Sequence, residues 1–271
     1  MGKNMKWMAT ILLLGSVFFG SCDPLYAGTV AYWRFEDGSA GTEHNDDRDN
    51  WYQDISGNGN HLSSWGSQSR PMATTDRPFA TVPQTGAANN LALDYDGNDD
   101  LGTFGSGTKM IDSYMFINGW TVEASFKMRG SHWQVLVGKD GKPNENLAEP
   151  VFYFKHRDDN HRLDCLFFDN NGDFHWTQTR EAIVSGQWYS VAATYDNSIF
   201  KLYLKSTGDE DYVLQGTLIV PAGATLGQWT EYWTVGRGMW DHNPVDFVDG
   251  LIDEVRISDT ALAPSEFLGV D

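Results

Sequence analysis

One carboxylate near the C-terminus occupies a position at which a charge is costly. Residues 247–258 alternate between apolar and polar types, with the period of two that is typical of a half-buried strand. Asp253 falls on the apolar side of this pattern, in line with Leu251, Val255 and Ile257. A buried carboxylate needs a partner. The sequence leaves three kinds open: a bound cation, an arginine, or a cluster of backbone N–H groups.

Aromatic and planar polar side chains together have the chemistry of a sugar-binding surface. The chain has 11 Trp, 11 Tyr and 15 Phe residues. Their ring faces pack on the C–H faces of pyranose rings, while sugar hydroxyls need planar polar partners. A place in the core is the alternative for any single ring. The aromatic candidates in or beside loop-like stretches are Trp133, Trp176, Trp229, Trp233 and Trp240. The residues that we predict to bind a glycan are Arg129, Arg162, His175, Trp176 and Arg237.

No short catalytic motif is evident in the sequence. Retaining glycosidases hold two carboxylates about 5 Å apart, but Glu123 stands alone on its strand and the acidic run 209–211 falls at a turn. Neither His-Glu-x-x-His nor Gly-x-Ser-x-Gly occurs. A lyase built from His, Tyr and Arg leaves no motif. A polysaccharide-cleaving enzyme, lyase or hydrolase, is therefore one alternative to a binding protein, and a surface adhesion or scaffold protein is another.

The charge balance narrows the class of partner. With 19 basic and 37 acidic residues the formal net charge is −18. Such a surface repels nucleic acid and anionic membranes, so neither is expected as a partner, and it suits cations and neutral ligands. Plain solubility is the simpler explanation for the same charge.

The first residues have the pattern of an export signal. Lys3 and Lys6 precede an apolar run at residues 7–19, which is too short to span a bilayer comfortably. We predict a signal peptide at residues 1–27, ending at Ala27, or lipid anchoring at Cys22. The protein is then secreted, periplasmic or at the cell surface, and it meets a membrane only through that anchor. Cleavage leaves Cys165 as the single cysteine, predicted to be a small buried residue.

Short alternating runs recur from end to end and predict strands. Asp196-Asn197-Ser198 separates two of them as a hairpin turn. A possible turn of helix at 264–268 is the one departure from this pattern, and the segment 37–90 is polar and irregular. Many short strands with one apolar face predict two antiparallel sheets packed together. We predict one domain over residues 28–271.

Several segments in a fixed order resemble a known family, the laminin-G-like, concanavalin A-type jelly-roll domains of exported bacterial proteins. The segments are 29–36, 54–62, 120–126, 137–141, 186–196, 235–238 and 249–257. The resemblance implies an all-β, antiparallel two-sheet jelly-roll sandwich, often with one structural calcium. It also implies a binding or adhesion module, frequently for carbohydrate, although ligands vary so widely that the fold does not fix the function.

The resemblance further implies where calcium lies, at the meeting point of the first strand, the following Gly/Asn loop and the last strand. Calcium takes about six to eight oxygen ligands. The predicted ligands are Glu36, Asp37, Asp54, Asn58, Asn60 and Asp253. A pair of Asx turns without metal is the alternative for residues 54–60. We expect an exported, non-catalytic polysaccharide-binding domain with a structural calcium site.

Overall fold

The structure, a computed structural model, describes residues 28–43, 51–64, 70–104, 109–143, 148–229 and 231–270. The predicted signal peptide at 1–27, with Cys22, lies outside these residues. No helix within the described ranges is long and apolar enough to cross a membrane. Single 3-10 turns are formed by Met110–Ser113 and Pro264–Glu266, the second inside the predicted helical turn.

Nearly all regular structure is β. In chain order the strands are β1 Thr29–Trp33, β2 Met72–Thr74, β3 Ala92–Asp96, β4 Leu101–Gly102, β5 Trp120–Met128, β6 Gln134–Lys139, β7 Lys142–Pro143, β8 Ala148–Glu149, β9 Phe152–His156, β10 Leu163–Phe168, β11 Phe174–Gln178, β12 Trp188–Tyr195, β13 Ile199–Ser206, β14 Val213–Ile219, β15 Trp233–Val235, β16 Gly238–Trp240, β17 Asn243–Val245 and β18 Asp249–Ser258. The predicted all-β, antiparallel two-sheet fold is confirmed.

The larger sheet has eight strands in the order β14-β13-β12-β5-β18-β3-β2, and β1 also pairs with β18. Its predicted hairpin joins β12 to β13. There Asn197 adopts a positive φ of 68°, and the Asp196 carboxylate accepts hydrogen bonds from the backbone N–H groups of Ser198 and Ile199. An Asx turn of this kind sets the register of the hairpin.

The smaller sheet has six strands in the order β11-β10-β9-β6-β15-β4. The core fills the space between the two sheets, and Trp120 of the larger sheet meets Phe152 and Phe167 of the smaller one at centroid distances of 5.5 and 5.3 Å. Cys165 is buried in the same core, as predicted. Alternate residues of each inner strand therefore point to this core, and the others point to the outer face of their sheet.

Other segments of the chain cover the outer face of the eight-stranded sheet. Val82 and Leu268 pack on Tyr32, and Phe267 packs on Tyr203. Glu123, which the alternation places on this face, is consequently buried. Its carboxylate accepts hydrogen bonds from the Arg256 guanidinium (2.6 Å) and the Leu268 backbone N–H (2.7 Å). This glutamate has a structural ion pair and is inaccessible to a polymer.

A β-bulge in β18 changes the side on which Asp253 lies. The register shifts between Asp253 and Arg256, and Glu254 has a positive φ of 50°. Ile252 before the bulge and Val255 after it both belong to the core. Asp253 pairs with Ser125 on the covered outer face. The prediction that Asp253 shares a face with Val255 and Ile257 is wrong, because a bulge inverts strict alternation.

Candidate functional site

The outer face of the six-stranded sheet brings together side chains that are distant in sequence. The register aligns Trp176, Leu166 and Tyr153 in one row across β11, β10 and β9. Gln178, Asp164 and Lys155 form the next row. Neighbouring strands lie about 4.8 Å apart, so each row is a continuous surface. The first row is apolar and the second is polar.

A groove of about 410 Å³ runs over this face, and we call it the aromatic groove. Its floor contains Tyr153, Leu166 and Phe168, and the hairpin of β16 and β17 forms one wall. The Tyr153 hydroxyl fastens that hairpin to the sheet, since it donates to the Met239 carbonyl (3.0 Å) and accepts from the Met239 N–H (2.5 Å). The wall is thus held by the floor.

Within the part of the chain that the structure describes, the exposed aromatic rings gather at this groove. Among the described Phe, Trp and Tyr residues, the large side chains that remain exposed are Phe174 (50%), Trp176 (45%) and Trp240 (56%). Phe174 and Trp240 line the groove, and Trp176 borders it beside Leu166. Exposed apolar rings that cluster rather than scatter mark an interaction surface.

The polar end of the aromatic groove carries paired charges. Lys155 forms an ion pair with Asp246 (2.7 Å), and Arg157 pairs with Asp159 (2.5 Å) and Asp164 (3.2 Å). Lys155 and Arg157 also lie over the ring of Trp133, at 4.6 and 4.8 Å from its centroid. Burial raises the pKa of Asp164, against the opposing effect of its hydrogen bond from Arg157.

Two of the five predicted glycan-binding residues reach this face. Trp176 borders the aromatic groove, and Arg162 lies at its polar end, where its guanidinium donates to the Gln178 side-chain oxygen at 3.4 Å. His175 points to the opposite side of β11, because strand neighbours alternate. Its ring packs on Phe167, and its Nε2 shares a hydrogen bond of 2.9 Å with Asp169. Because its ring faces the core between the sheets, it offers nothing to a ligand in the groove.

The other two predicted glycan-binding residues hold the fold. Arg237 is buried, and its guanidinium donates to Asp100 (3.1 Å) and Asp140 (2.6 Å). Arg129 follows a strand of the other sheet, where it pairs with Asp94 (2.6 Å) and Asp249 (2.9 Å). Neither residue lines the aromatic groove.

Other residues on this face were not predicted from the sequence, although strict alternation along β11 identifies two of them. Phe174 and Gln178 share the face of Trp176 on one strand, so the period of two places all three together. Lys155 and Arg157 alternate in the same way along the chain. Their position next to Asp164 depends on the pairing of β9 with β10, which no local pattern encodes.

The opposite face has a second depression, of about 320 Å³, next to Trp188, Ser190 and Lys205. Trp188 is buried there, and its indole N–H donates to Asp76 at 2.8 Å. A ring held in this way has little free face for a ligand. The aromatic groove is the stronger candidate site.

The predicted calcium loop is held by hydrogen bonds. The Asp54 carboxylate accepts from the backbone N–H groups of Tyr32 (3.0 Å), Ser56 (2.9 Å) and Asn60 (2.9 Å). The side-chain amides of Asn58 and Asn60 donate to the Val30 carbonyl at 3.0 and 2.8 Å. These contacts match the Asx-turn alternative, and they attach the loop to β1.

Glu36 and Asp37, two further predicted ligands, also accept hydrogen bonds from backbone N–H groups. The carboxylate of Glu36 accepts from the backbone N–H groups of Asn90 (2.7 Å) and Leu91 (3.1 Å), and Asp37 accepts from the Gln53 N–H (3.1 Å). In the described part of the chain, no group of three or more His, Cys, Asp and Glu side chains is arranged to hold a metal ion.

Asp253 is a buried carboxylate next to a second buried acidic side chain, Glu254. It is fully buried, and it accepts from the Asn89 amide (2.8 Å) and the Glu254 N–H (2.9 Å). Burial, then the charge of Glu254, and to a smaller extent that of Glu36, raise its pKa well above the usual range. Asn89 Oδ1 is buried and has no hydrogen-bond partner within the described residues. Asp253 and Asn89, which was not predicted from the sequence, therefore bring a buried carboxylate and an unpaired amide oxygen together, and the charge of Glu36 acts on the same carboxylate.

Glu254 is expected to make stability depend on pH. Burial, opposed by Arg34, raises its pKa from 4.5 to about 7. The folded state then binds a proton that the unfolded chain releases, so the free energy of unfolding falls as pH rises from about 4.5 to 7, by at most about 3 kcal/mol. Melting temperatures at pH 5 and pH 7.5, measured in chelator, should differ less in Glu254→Gln than in the wild type. Glu210→Gln, at an exposed turn, is the control, and an identical pH slope in all three proteins would contradict this expectation.

The sequence matches the profile of a known family. The sequence profile described as the concanavalin A-like lectin/glucanases superfamily, of laminin-G type, matches residues 96–267, more than half of the chain. The chain belongs to this superfamily. Its concanavalin A-like fold accounts for the two stacked antiparallel sheets. No curated protein sequence matches the chain significantly.

Two solved structures illustrate the concanavalin A-like fold. Domain 4 of AbnA, a GH43 extracellular arabinanase from Geobacillus stearothermophilus solved in complex with arabinotriose, is 19% identical with a TM-score of 0.51, over 88% of this chain and 95% of that one. The binding domain of botulinum neurotoxin serotype D/C is 8% identical with a TM-score of 0.55, over 89% of this chain. The match covers 51% of the neurotoxin domain, about half its length. At these identities the likeness concerns the fold.

Proposed function

We propose that this protein binds a polysaccharide outside the cell, without cleaving it, through the aromatic groove. The main support is the position of the exposed aromatic rings. Among the described residues, the exposed Phe and Trp side chains all lie around one groove with a polar end; they are Phe174, Trp176 and Trp240. Sugar rings pack on such faces, and their hydroxyls need the planar polar groups next to them. The arabinotriose bound to the AbnA domain, on a similar fold, supports this choice.

The proposed interaction is weak for a single domain. The aromatic groove is open along the sheet, so a bound glycan stays partly in water. We expect dissociation constants from micromolar to millimolar, or about −8 to −4 kcal/mol. Binding of this strength suits attachment to a repetitive polymer, because one polysaccharide chain offers many equivalent binding sites.

A glycan array, followed by calorimetry on each positive glycan, tests the proposed function. We expect binding to at least one polysaccharide and no release of reducing ends or unsaturated sugars from it. Activity by the purified protein that is lost with Arg162→Ala would establish a polysaccharide-cleaving enzyme instead. Absence of binding across the array would refute the proposed function.

Export is part of the proposal. Residues 1–27 act as a signal peptide, and the mature protein is secreted, periplasmic or at the cell surface. Fractionation of cells expressing the full chain should find it outside the cytoplasm. A Cys22→Ser variant separates the two routes, because it detaches a lipid-anchored protein from the membrane fraction and leaves a soluble one where it was.

We also propose a structural calcium ion at Asp253, with Glu36 and Asn89. A cation relieves the repulsion among the buried carboxylates, and at 100 times its dissociation constant it stabilises the fold by about 2.7 kcal/mol. The melting temperature should then fall by roughly 5–10 °C in chelator. Asp253→Asn should abolish this shift. Asp54→Asn should lower the melting temperature but keep the calcium-dependent shift, because Asp54 accepts hydrogen bonds from backbone N–H groups. An equal melting temperature in calcium and chelator would contradict the site.

A further inference from the structure

Two cations at the polar end of the aromatic groove, Lys155 and Arg157, are already paired with carboxylates of the protein. Lys155 pairs with Asp246, and Arg157 pairs with both Asp159 and Asp164. An anionic sugar would have to displace these carboxylates or lie beside them. It would also approach a chain with a formal net charge of −18. Like-charge juxtaposition of this kind disfavours an anionic partner.

One carboxylate oxygen next to the aromatic groove lacks a donor. Asp164 is 5% exposed, and it lies between Lys155 and Gln178 in the polar row. Its Oδ2 accepts from Arg157, whereas its Oδ1 is buried and accepts no hydrogen bond from any described residue. A buried acceptor without a donor is unfavourable, and a ligand hydroxyl that reaches Oδ1 after a small shift of the surrounding side chains would supply the missing donor.

Arg162 adds a donor at the same end. Among the described residues its guanidinium makes one side-chain hydrogen bond, the long one to Gln178. An unpaired guanidinium donates to hydroxyl and ring oxygens as well as to anions. The polar end therefore offers one carboxylate acceptor and one cationic donor, with paired charges around them.

We propose that the ligand of the aromatic groove is a neutral polysaccharide, whose hydroxyl groups donate to Asp164 Oδ1 and accept from Arg162. This inference rests on the proposed function and specifies its ligand class. The apolar row beneath takes the sugar rings, and the polar row takes their hydroxyls. No net charge is transferred from water into the groove.

Affinity electrophoresis against two sets of polysaccharides tests the inference. The neutral set contains a β-glucan, a mannan, a xylan and an arabinan, and the anionic set contains alginate, polygalacturonate and chondroitin sulfate. We expect retardation by at least one neutral polymer and by none of the anionic ones. The dissociation constant for the neutral polymer should change less than about twofold between roughly 50 and 500 mM sodium chloride.

A pair of matched variants tests the role of Asp164. Asp164→Asn keeps the shape and removes the charge, and should weaken binding of the neutral polymer about tenfold, because a charge-assisted hydrogen bond is lost. Asp159→Asn, which neutralises the exposed partner of the same Arg157, should change it less than about twofold. Equal melting temperatures would show that both variants are folded.

The outcomes separate the inference from the proposed function. Binding to anionic polymers alone, with an affinity that falls steeply with salt, would overturn the inference and leave polysaccharide binding in place. An unchanged affinity in Asp164→Asn would also overturn it. Binding to neither set would refute both.

Discussion

Replacement of Arg237 by alanine should lower the free energy of unfolding by about 3–5 kcal/mol. The guanidinium is buried between Asp100 and Asp140, and its loss leaves the fully buried Asp140 carboxylate without this partner. Removal of one member of a buried ion pair has a cost of this size. For a domain of this length the melting temperature should fall by roughly 10 °C or more.

Arg162→Ala is the matched control for that experiment. Its guanidinium is partly exposed and makes one long hydrogen bond, so its stability change should stay within about 0.5 kcal/mol. Glycan binding should show the reverse pattern. Arg162→Ala should weaken the affinity for the glycan, and Arg237→Ala should not, provided that it is measured below its melting temperature. If Arg237→Ala melted like the wild type, the buried ion pair described here would be contradicted.

The double variant Trp176→Ala/Trp240→Ala should weaken glycan binding about 100-fold. Truncation of an aromatic anchor at an interface costs about 1–2 kcal/mol or more, and two such losses weaken the affinity about 100-fold. A dissociation constant in the micromolar range then rises to about 0.1 mM or more, and one in the millimolar range falls below detection. Both rings are largely exposed, so the melting temperature should stay within a few degrees of the wild type.

Ile219→Ala is the control for the double variant. Ile219 is 82% exposed on β14, an edge strand of the other sheet, and its truncation should leave glycan affinity unchanged. Retention of wild-type affinity by the tryptophan double variant would place the binding surface elsewhere on the protein.

Alternation along the chain predicted the sandwich because each strand has one buried face. It predicted β5 and β12 through their runs of inward apolar residues, and the hairpin between β12 and β13 through Asp196 and Asn197. It failed at Asp253, because a bulge with a positive φ at a non-glycine residue has no signature in the apolar pattern. Local periodicity therefore gives strands and faces, but not the irregularities within a strand.

The site was less predictable than the fold because it depends on pairing across strands. Their residue types alone predict Trp176 and Arg162 as glycan-binding residues, and the two share one face of the smaller sheet. Arg237 has the same local sequence features, but its guanidinium is buried between two aspartates that are distant in sequence. The covering of the outer face of the eight-stranded sheet by residues around Val82 and Phe267 is also long-range, and it leaves the smaller sheet to present the exposed rings.

The most direct test of the central claim is to observe the tryptophan rings during glycan titration. The indole N–H signals of the protein, which has 11 Trp residues, can be assigned in NMR spectra by single substitutions. On addition of a polysaccharide that binds, the signals of Trp133, Trp176 and Trp240 around the aromatic groove should shift together. The signal of Trp188, on the opposite face, should stay in place. A shift of Trp188 with unchanged signals from the other three would contradict binding through the aromatic groove.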